Sequence, residues 1–119
     1  MSDFLKLVGE QIRYIRKARG LTQESLAERS DLSFSYISDV ERGERNISLA
    51  SLEKIIIALD VMPGELFNFQ NLDINPGIDD KRMIIEVIRS LLMERQTQEV
   101  KFIHQVTKEF IRTVDTAKN

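Results

Sequence analysis

Residues 21–59 read LTQESLAERSDLSFSYISDVERGERNISLASLEKIIIAL, and the reading of this stretch decides the fold. It holds three short helical segments, each preceded by a hydroxyl side chain. Thr22, Ser33 and Ser48 stand where an N-cap oxygen accepts a hydrogen bond from an unpaired N–H of the first turn. Thr22 is followed three residues later by Ser25 rather than Glu, so the capping box there is incomplete. Leu26 and Ala27 of the first segment face inward, as do Ile37 and Val40 of the second, with Tyr36 at the edge. A helix of about eight residues, a short turn at Asp31 and Leu32, and a second helix over 34–42 ended by Gly43 make a helix-turn-helix layout. That second helix leaves Phe34, Ser35, Ser38 and Asp39 outside, where an ordinary surface helix carries Lys and Glu. Side chains of this size and polarity suit readout against the base edges of DNA.

Upstream, Leu5, Val8, Ile12 and Ile15 recur at steps of three and four residues, which predicts an amphipathic helix capped by Ser2 or Asp3 and stopped by Gly20. Arg13, Arg16, Lys17 and Arg19 crowd its last turns. They either compensate the negative end of the helix dipole or add to a phosphate-binding surface. Downstream of Ser48, Leu49, Leu52, Ile55, Ile56 and Leu59 give an apolar face wide enough to be covered on more than one side. In the run 62–67, MPGELF, Pro at the first helical position predicts a short fifth helix, with Leu66 and Phe67 closing the core. Five helices over residues 1–67 form a self-contained unit. Residues 68–80 read as a linker, with a turn at Asn75, Pro76 and Gly77. Residues 81–119 read as a helical dimerisation or partner-binding tail, started by Asp79 or Asp80. Its apolar rhythm (Met83, Ile84, Val87, Ile88, Leu91, Leu92) falters over 94–99 and resumes at Val100, Ile103, Val106, Phe110 and Val114. Two helices broken near Thr97, or one long bent helix, fit that pattern. The fold class is all-α.

The chain has 119 residues, 42% of them hydrophobic and 30% charged, which suits one small globular unit with an appendage. It has no Cys, hence no disulfide and no thiolate chemistry, which fits a reducing cytoplasm. No apolar run reaches the ~20 residues of a membrane span, and the N-terminus lacks a signal-peptide pattern, so a cytoplasmic, nucleoid-associated location is expected. The net charge of −2 is not the basic footprint of a typical nucleic-acid binder. Positive charge gathers only locally, at Arg13, Arg16, Lys17 and Arg19 and at Arg42 and Arg45. Attraction to phosphate depends on the field at the contacting face, so the total does not exclude DNA.

Three motifs coincide: Leu21-Thr22-Gln23-x-x-Leu26-Ala27, then Ser33-x-x-Tyr36-Ile37-Ser38-x-Val40-Glu41-Arg42-Gly43, then Ser48-Leu49-x-x-Leu52-x-x-Ile55. Over about residues 7–67 the chain closely resembles the Cro/repressor-type helix-turn-helix family, the lambda repressor-like DNA-binding domain. That family includes phage repressors, restriction–modification controller proteins and many bacterial regulators. The resemblance implies a homodimer, or a higher oligomer, on double-stranded DNA, with helix 34–42 in the major groove. It places Phe34, Ser35 and Asp39, with Ser38 nearby, at base edges. It places Gln23, Arg45, Asn46 and Tyr36 at phosphates, with Thr22 and Arg42 beside them. It also implies that Arg16 and Glu41 form an internal ion pair and belong to the fold.

Two of these positions depart from the family pattern, where Gln or Arg is common. Phe34 has no donor, so its base partner is a thymine methyl, unless it is a half-buried staple onto the preceding helix. Asp39 can only accept, so it reads a cytosine amine or pairs with Arg42 or Arg45. In the tail, Ile84, Val87, Ile88, Leu91, Ile103, Val106 and Phe110 are the expected interface, for a second copy or for an antagonist protein or peptide. The single histidine, His104, lacks partners at metal or triad spacing and reads as a surface or interface residue. No Walker loop, dinucleotide fingerprint or zinc spacing occurs, so no enzyme, cofactor, metal or catalytic residue is expected. The leading expectation is a sequence-specific transcriptional regulator acting as a homodimer, most simply a repressor, with a restriction–modification controller as the subtype kept as an alternative. The alternative is a protein-interaction adaptor or antitoxin-like module on the same scaffold, suggested by the acidic balance and the apolar tail.

Overall fold

In the computed structural model of the chain, residues 2–69 and 77–118 are described. The elements are α1 (Asp3–Ala18), α2 (Gln23–Ser30), α3 (Phe34–Glu41), α4 (Leu49–Leu59), α5 (Pro63–Leu66), α6 (Lys81–Met93) and α7 (Thr97–Ala117). Their starts follow from local hydrogen bonds. Ser2 Oγ accepts from the Leu5 N–H, Thr22 Oγ1 from Ser25, Ser33 Oγ from Tyr36 and Ser48 Oγ from Ser51, at 3.0–3.2 Å. Asp80 caps α6 by accepting from the Arg82 N–H at 2.9 Å. That bond holds the Asp80 carboxyl below its ordinary pKa. The carboxylate therefore caps α6 at neutral pH and stops doing so as acid protonates it. Glu65 accepts from the Met62 N–H at 3.1 Å and starts α5.

Two helix ends use glycine in the left-handed region, Gly20 at φ 71° and Gly43 at φ 72°. After α1, Leu21 N–H reaches Arg16 O and Gly20 N–H reaches Lys17 O; after α3, Glu44 N–H reaches Asp39 O and Gly43 N–H reaches Val40 O. Both pairs are Schellman closures. Asp31 and Asp60 take the left-handed position after α2 and α4, both at φ 56°.

The core lies among α1–α5 and is built from Leu7, Val8, Ile12, Ile15, Leu26, Ala27, Ile37, Val40, Leu52, Ile55, Leu59 and Leu66. Phe69, Ile78 and Val87 extend it, so both described ends of the expected linker are buried in it. Asp3, not needed as the cap of its own helix, accepts from the N–H groups of Asp79 and Asp80, and Lys6 Nζ donates to Gly77 O. These bonds seat the start of α6 on α1. Asn75 and Pro76 of the expected turn lie outside the described residues.

Four expectations need correction. Phe67 does not close the core; it stacks on Phe4 at the surface, centroids 6.1 Å apart, and Phe69 fills the buried place. Leu49 does not join the buried side of α4 and is 84% exposed, because that face is wider than its neighbours cover. Val87 is not free for a partner: it is packed in the core, with Ile84 half-buried beside it. Arg16 does not serve the helix dipole from the surface, being buried between helices.

Two helices follow residue 80, with 94–96 between them, as the two-helix reading expects. α7 buries none of its 21 residues. The molecule measures 57 × 30 × 22 Å with a radius of gyration of 17.6 Å, against about 13.5 Å for a compact chain of this length. The tail is what elongates it. Among the described residues, no helix is long and apolar enough to cross a membrane.

Gly9 sets how closely α3 approaches α1. A Cβ there would collide with the carbonyl oxygens of Val40 and Glu41, the latter at 2.8 Å, and both are backbone. Ala normally favours a helix interior by about 1 kcal/mol over Gly. Here the sign should invert: Gly9→Ala is expected to lower stability by about 1 to 2 kcal/mol, since overpacking outweighs the propensity gain. Urea unfolding measures it, and a raised midpoint would show that the two helices are not held at this spacing.

Candidate nucleic-acid interface

The surface around α3 is assembled from three segments: α3, the N-terminus of α2, and the loop from Arg42 to Asn46. A buried ion pair fixes the first two of them to α1. Arg16 Nε donates to Glu41 Oε2 at 2.7 Å and Nη2 donates to Glu41 Oε1 at 3.1 Å, while Nη1 donates to Leu21 O at 2.7 Å. Gln23 Nε2 donates to the same Glu41 Oε1 at 3.0 Å. One carboxylate therefore ties α1, the start of α2 and the end of α3 together. The Arg16–Glu41 pair expected from the resemblance is present, in bidentate form.

On the outer side, Phe34 is 50% exposed, so its ring is not fully stapled to α2. Ser35 is exposed, and its hydroxyl lies 3.3 Å from that of Ser33. Ser38 and Asp39 are half-buried. Both Asp39 oxygens face arginines: Oδ1 accepts from Arg42 and Oδ2 from Arg45 at 3.4 Å. Arg42 also donates to Ser38 Oγ and, through Nε, to Glu44 Oε2 at 3.1 Å. The Arg45 guanidinium lies over the Tyr36 ring, 4.7 Å from its centroid, which favours a cation–π contact. Of the two sequence-based readings of Asp39, the ion-pair geometry is the one present in this structure.

Thr22 and Asn46 are exposed. Thr22 spends its hydroxyl on the cap of α2, with Ser25 Oγ 2.9 Å away. Gln23 is half-buried on Glu41, and because an amide carries two N–H donors one remains for a further acceptor. Residues 34, 35, 38 and 39 thus lie on one helix, with Gln23, Tyr36, Arg42 and Arg45 close by. Glu44 was not among the expected site residues, although it buffers Arg42. Only the alternation of Arg42, Glu44 and Arg45 hinted at it. His104 is exposed on α7, far along the chain from this surface. No cluster of three His, Asp or Glu able to hold a metal occurs among the described residues.

Comparison with known proteins places this arrangement. The model of the helix-turn-helix family matches residues 12–66. The control protein C.BamHI of Bacillus amyloliquefaciens is 46% identical over 67 residues, 56% of this chain and 83% of that protein. The crystal structure of the restriction–modification controller C.AhdI of Aeromonas hydrophila superposes with a TM-score of 0.52 at 49% identity, covering 53% of this chain and 96% of that one. The controller C.Esp1396I, solved as a tetramer with its natural 35-base-pair operator, superposes with a TM-score of 0.56 at 34% identity, covering 74% and 99%. The motif, the capped helices and the relatives agree: this chain belongs to the Cro/repressor-type helix-turn-helix family of DNA-binding regulators.

Proposed function

We propose that the protein is a sequence-specific, non-enzymatic transcriptional regulator that acts in the cytoplasm as a homodimer on double-stranded DNA. α3 enters the major groove, and two copies read half-sites about 34 Å apart. The carrying observation is the outer face of α3, with Phe34 and Ser35 open to solvent and the Arg42–Asp39–Arg45 cluster at its far end. A solvated structural helix has no need of that combination. The operator complex of C.Esp1396I supports the reading. Repression follows physically wherever the bound dimer overlaps a promoter. Relatives that are control proteins of restriction–modification systems favour the controller subtype as a second reading. Selection from randomised duplex DNA tests the proposal: a palindrome or repeat should be enriched, and the absence of any enriched site would refute it.

Side chains at this surface divide into those that position and those that specify. Arg45→Ala and Gln23→Ala should weaken binding to every sequence alike. Phe34→Ala or Ser35→Ala should change preference at one base position, by about 1 to 3 kcal/mol. Asp39→Ala separates its two roles. Loss of affinity across all sites marks an anchor for Arg42 and Arg45, whereas a changed preference at a single position marks a base contact. Binding curves on a panel of single-base operator variants read all of these, and equal weakening at every base by Phe34→Ala would remove that ring from readout.

A further inference from the structure

The four outward side chains of α3 are not equally open. Phe34 and Ser35 are exposed, whereas Ser38 and Asp39, one turn further on, are half-buried. Arg42 lies against both of the latter. Its Nη1 donates to Ser38 Oγ, its Nη2 to Asp39 Oδ1 and its Nε to Glu44 Oε2 at 3.1 Å. Helical spacing dictates the first two bonds, since side chains three and four residues apart are neighbours on the surface. Glu44, beyond the helix end, takes the third edge of the guanidinium.

Two carboxylates on one guanidinium leave no net positive charge at that point. An approaching phosphate meets Asp39 and Glu44 together with Arg42, and the like charges cancel most of the attraction. Arg42 makes a full phosphate contact only by leaving these acceptors. Exposed ion pairs hold weakly, and the arginine side chain is 52% exposed, so the exchange is open to it. Its departure uncovers Ser38 Oγ and Asp39 Oδ1. Arg45 stays on Asp39 Oδ2 at 3.4 Å, with its guanidinium over the Tyr36 ring.

We propose that Arg42 is a specificity-determining residue that touches no base. It closes over Ser38 and Asp39 in the free protein, and it passes to a phosphate only where a base replaces it on those two side chains. The inference rests on the proposed DNA-binding regulator and deepens it. A base with an amine in the major groove, cytosine or adenine, satisfies Asp39 in place of the guanidinium. At a base without one, opening would leave the Asp39 carboxylate facing DNA with its Oδ1 unpaired. The arginine then stays closed, and its phosphate bond is lost along with the base bond. One mismatch is penalised twice.

The test uses the full-length protein and an operator recovered by selection from randomised duplex DNA. The informative positions are those where Ser38→Ala or Asp39→Ala loses discrimination. Affinity for the operator, and for its single-base variants at those positions, is titrated between about 50 and 200 mM salt. Each phosphate neutralised adds about 0.9 to the logarithmic salt slope, so the parent's slope should be steeper by about that much on the operator than on the mismatched duplex. In Arg42→Ala the two slopes should coincide. Discrimination at those positions should fall by about tenfold near 0.1 M salt, the worth of one phosphate on that slope relative to 1 M. Discrimination elsewhere should persist. Arg42→Lys keeps a cation for the phosphate but lacks the planar fork that spans three acceptors, so it should give the operator's steep slope on both duplexes. The comparison of slopes in the parent needs no variant to fold. Equal slopes in the parent overturn the proposal and make Arg42 an ordinary phosphate anchor. The same follows if Arg42→Ala weakens every duplex alike, or if no operator position answers to Ser38 or Asp39. Failure to enrich any operator removes the regulator reading and this proposal with it, and it is distinguishable because it comes before any slope is measured.

Discussion

Glu41→Ala is expected to destabilise the protein by about 3 to 5 kcal/mol, the usual cost of removing one partner of a buried ion pair. The side chains of Arg16 and Glu41 are 8% and 2% exposed, so the guanidinium left behind has little access to water. It would keep only its bond to Leu21 O. Gln23 would lose its acceptor as well, so the start of α2 loosens together with the end of α3. Against a total stability of about 5 to 15 kcal/mol for a domain, this single change removes a large share. The double variant Arg16→Met with Glu41→Leu should lose much less than Glu41→Ala, because no charge is then stranded. Urea unfolding followed by circular dichroism reads both. A Glu41→Ala protein within about 1 kcal/mol of the parent would mean that water reaches the pair and that other contacts hold α3.

Operator affinity should fall by about 10³ to 10⁵ between 50 and 200 mM salt, taking roughly 6 to 10 phosphates neutralised across the dimer. A steep dependence is expected even though the chain's net charge is −2. Counterion release follows the phosphates touched and not the overall charge of the protein. In the proposed complex the groups expected to contact phosphate are those gathered at α3: Arg42, Arg45, Gln23 and the N-terminal end of α2, whose N–H groups attract anions. Arg16 does not take part, being committed to Glu41. Asp39 and Glu44 hold the two outer arginines and must share them with phosphate. Titrations at several salt concentrations give the slope directly. A nearly flat slope would rule out phosphate-anchored binding and favour the adaptor alternative.

Most of the local structure was legible from residue types alone. Ser2, Thr22, Ser33, Ser48 and Asp80 all cap helices, because a side-chain oxygen bonding an N–H two or three residues ahead involves no distant part of the chain. Gly20 and Gly43 end helices for a comparable reason, since closure needs a left-handed residue at that step. The helix-turn-helix arrangement was legible through its motif, and the Arg16–Glu41 pair through the family resemblance rather than through spacing.

What only tertiary structure decided concerns which part of a wide apolar arc finds a neighbour. Periodicity puts Leu49 beside Leu52, Phe67 beside Leu66 and Val87 beside Ile88. It does not say that Leu52, Leu66 and Val87 are covered while the other three remain open. Helix crossings settle that, and they depend on contacts far apart in sequence. Gln11 donates to Glu65 O at 2.7 Å and to Asn68 O at 2.9 Å, across 54 and 57 residues. Asp3 binds the start of α6 from 76 and 77 residues away. Gly9 is required by the backbone of α3 and by nothing in α1 itself. The sequence by itself determined where α1 to α5 begin and end and which face of α3 stays polar, because those features are satisfied within a few residues. The packing of α1 on α3, the seating of α6 and the identity of the open faces were decided only in three dimensions, where one helix's backbone limits how close another can come.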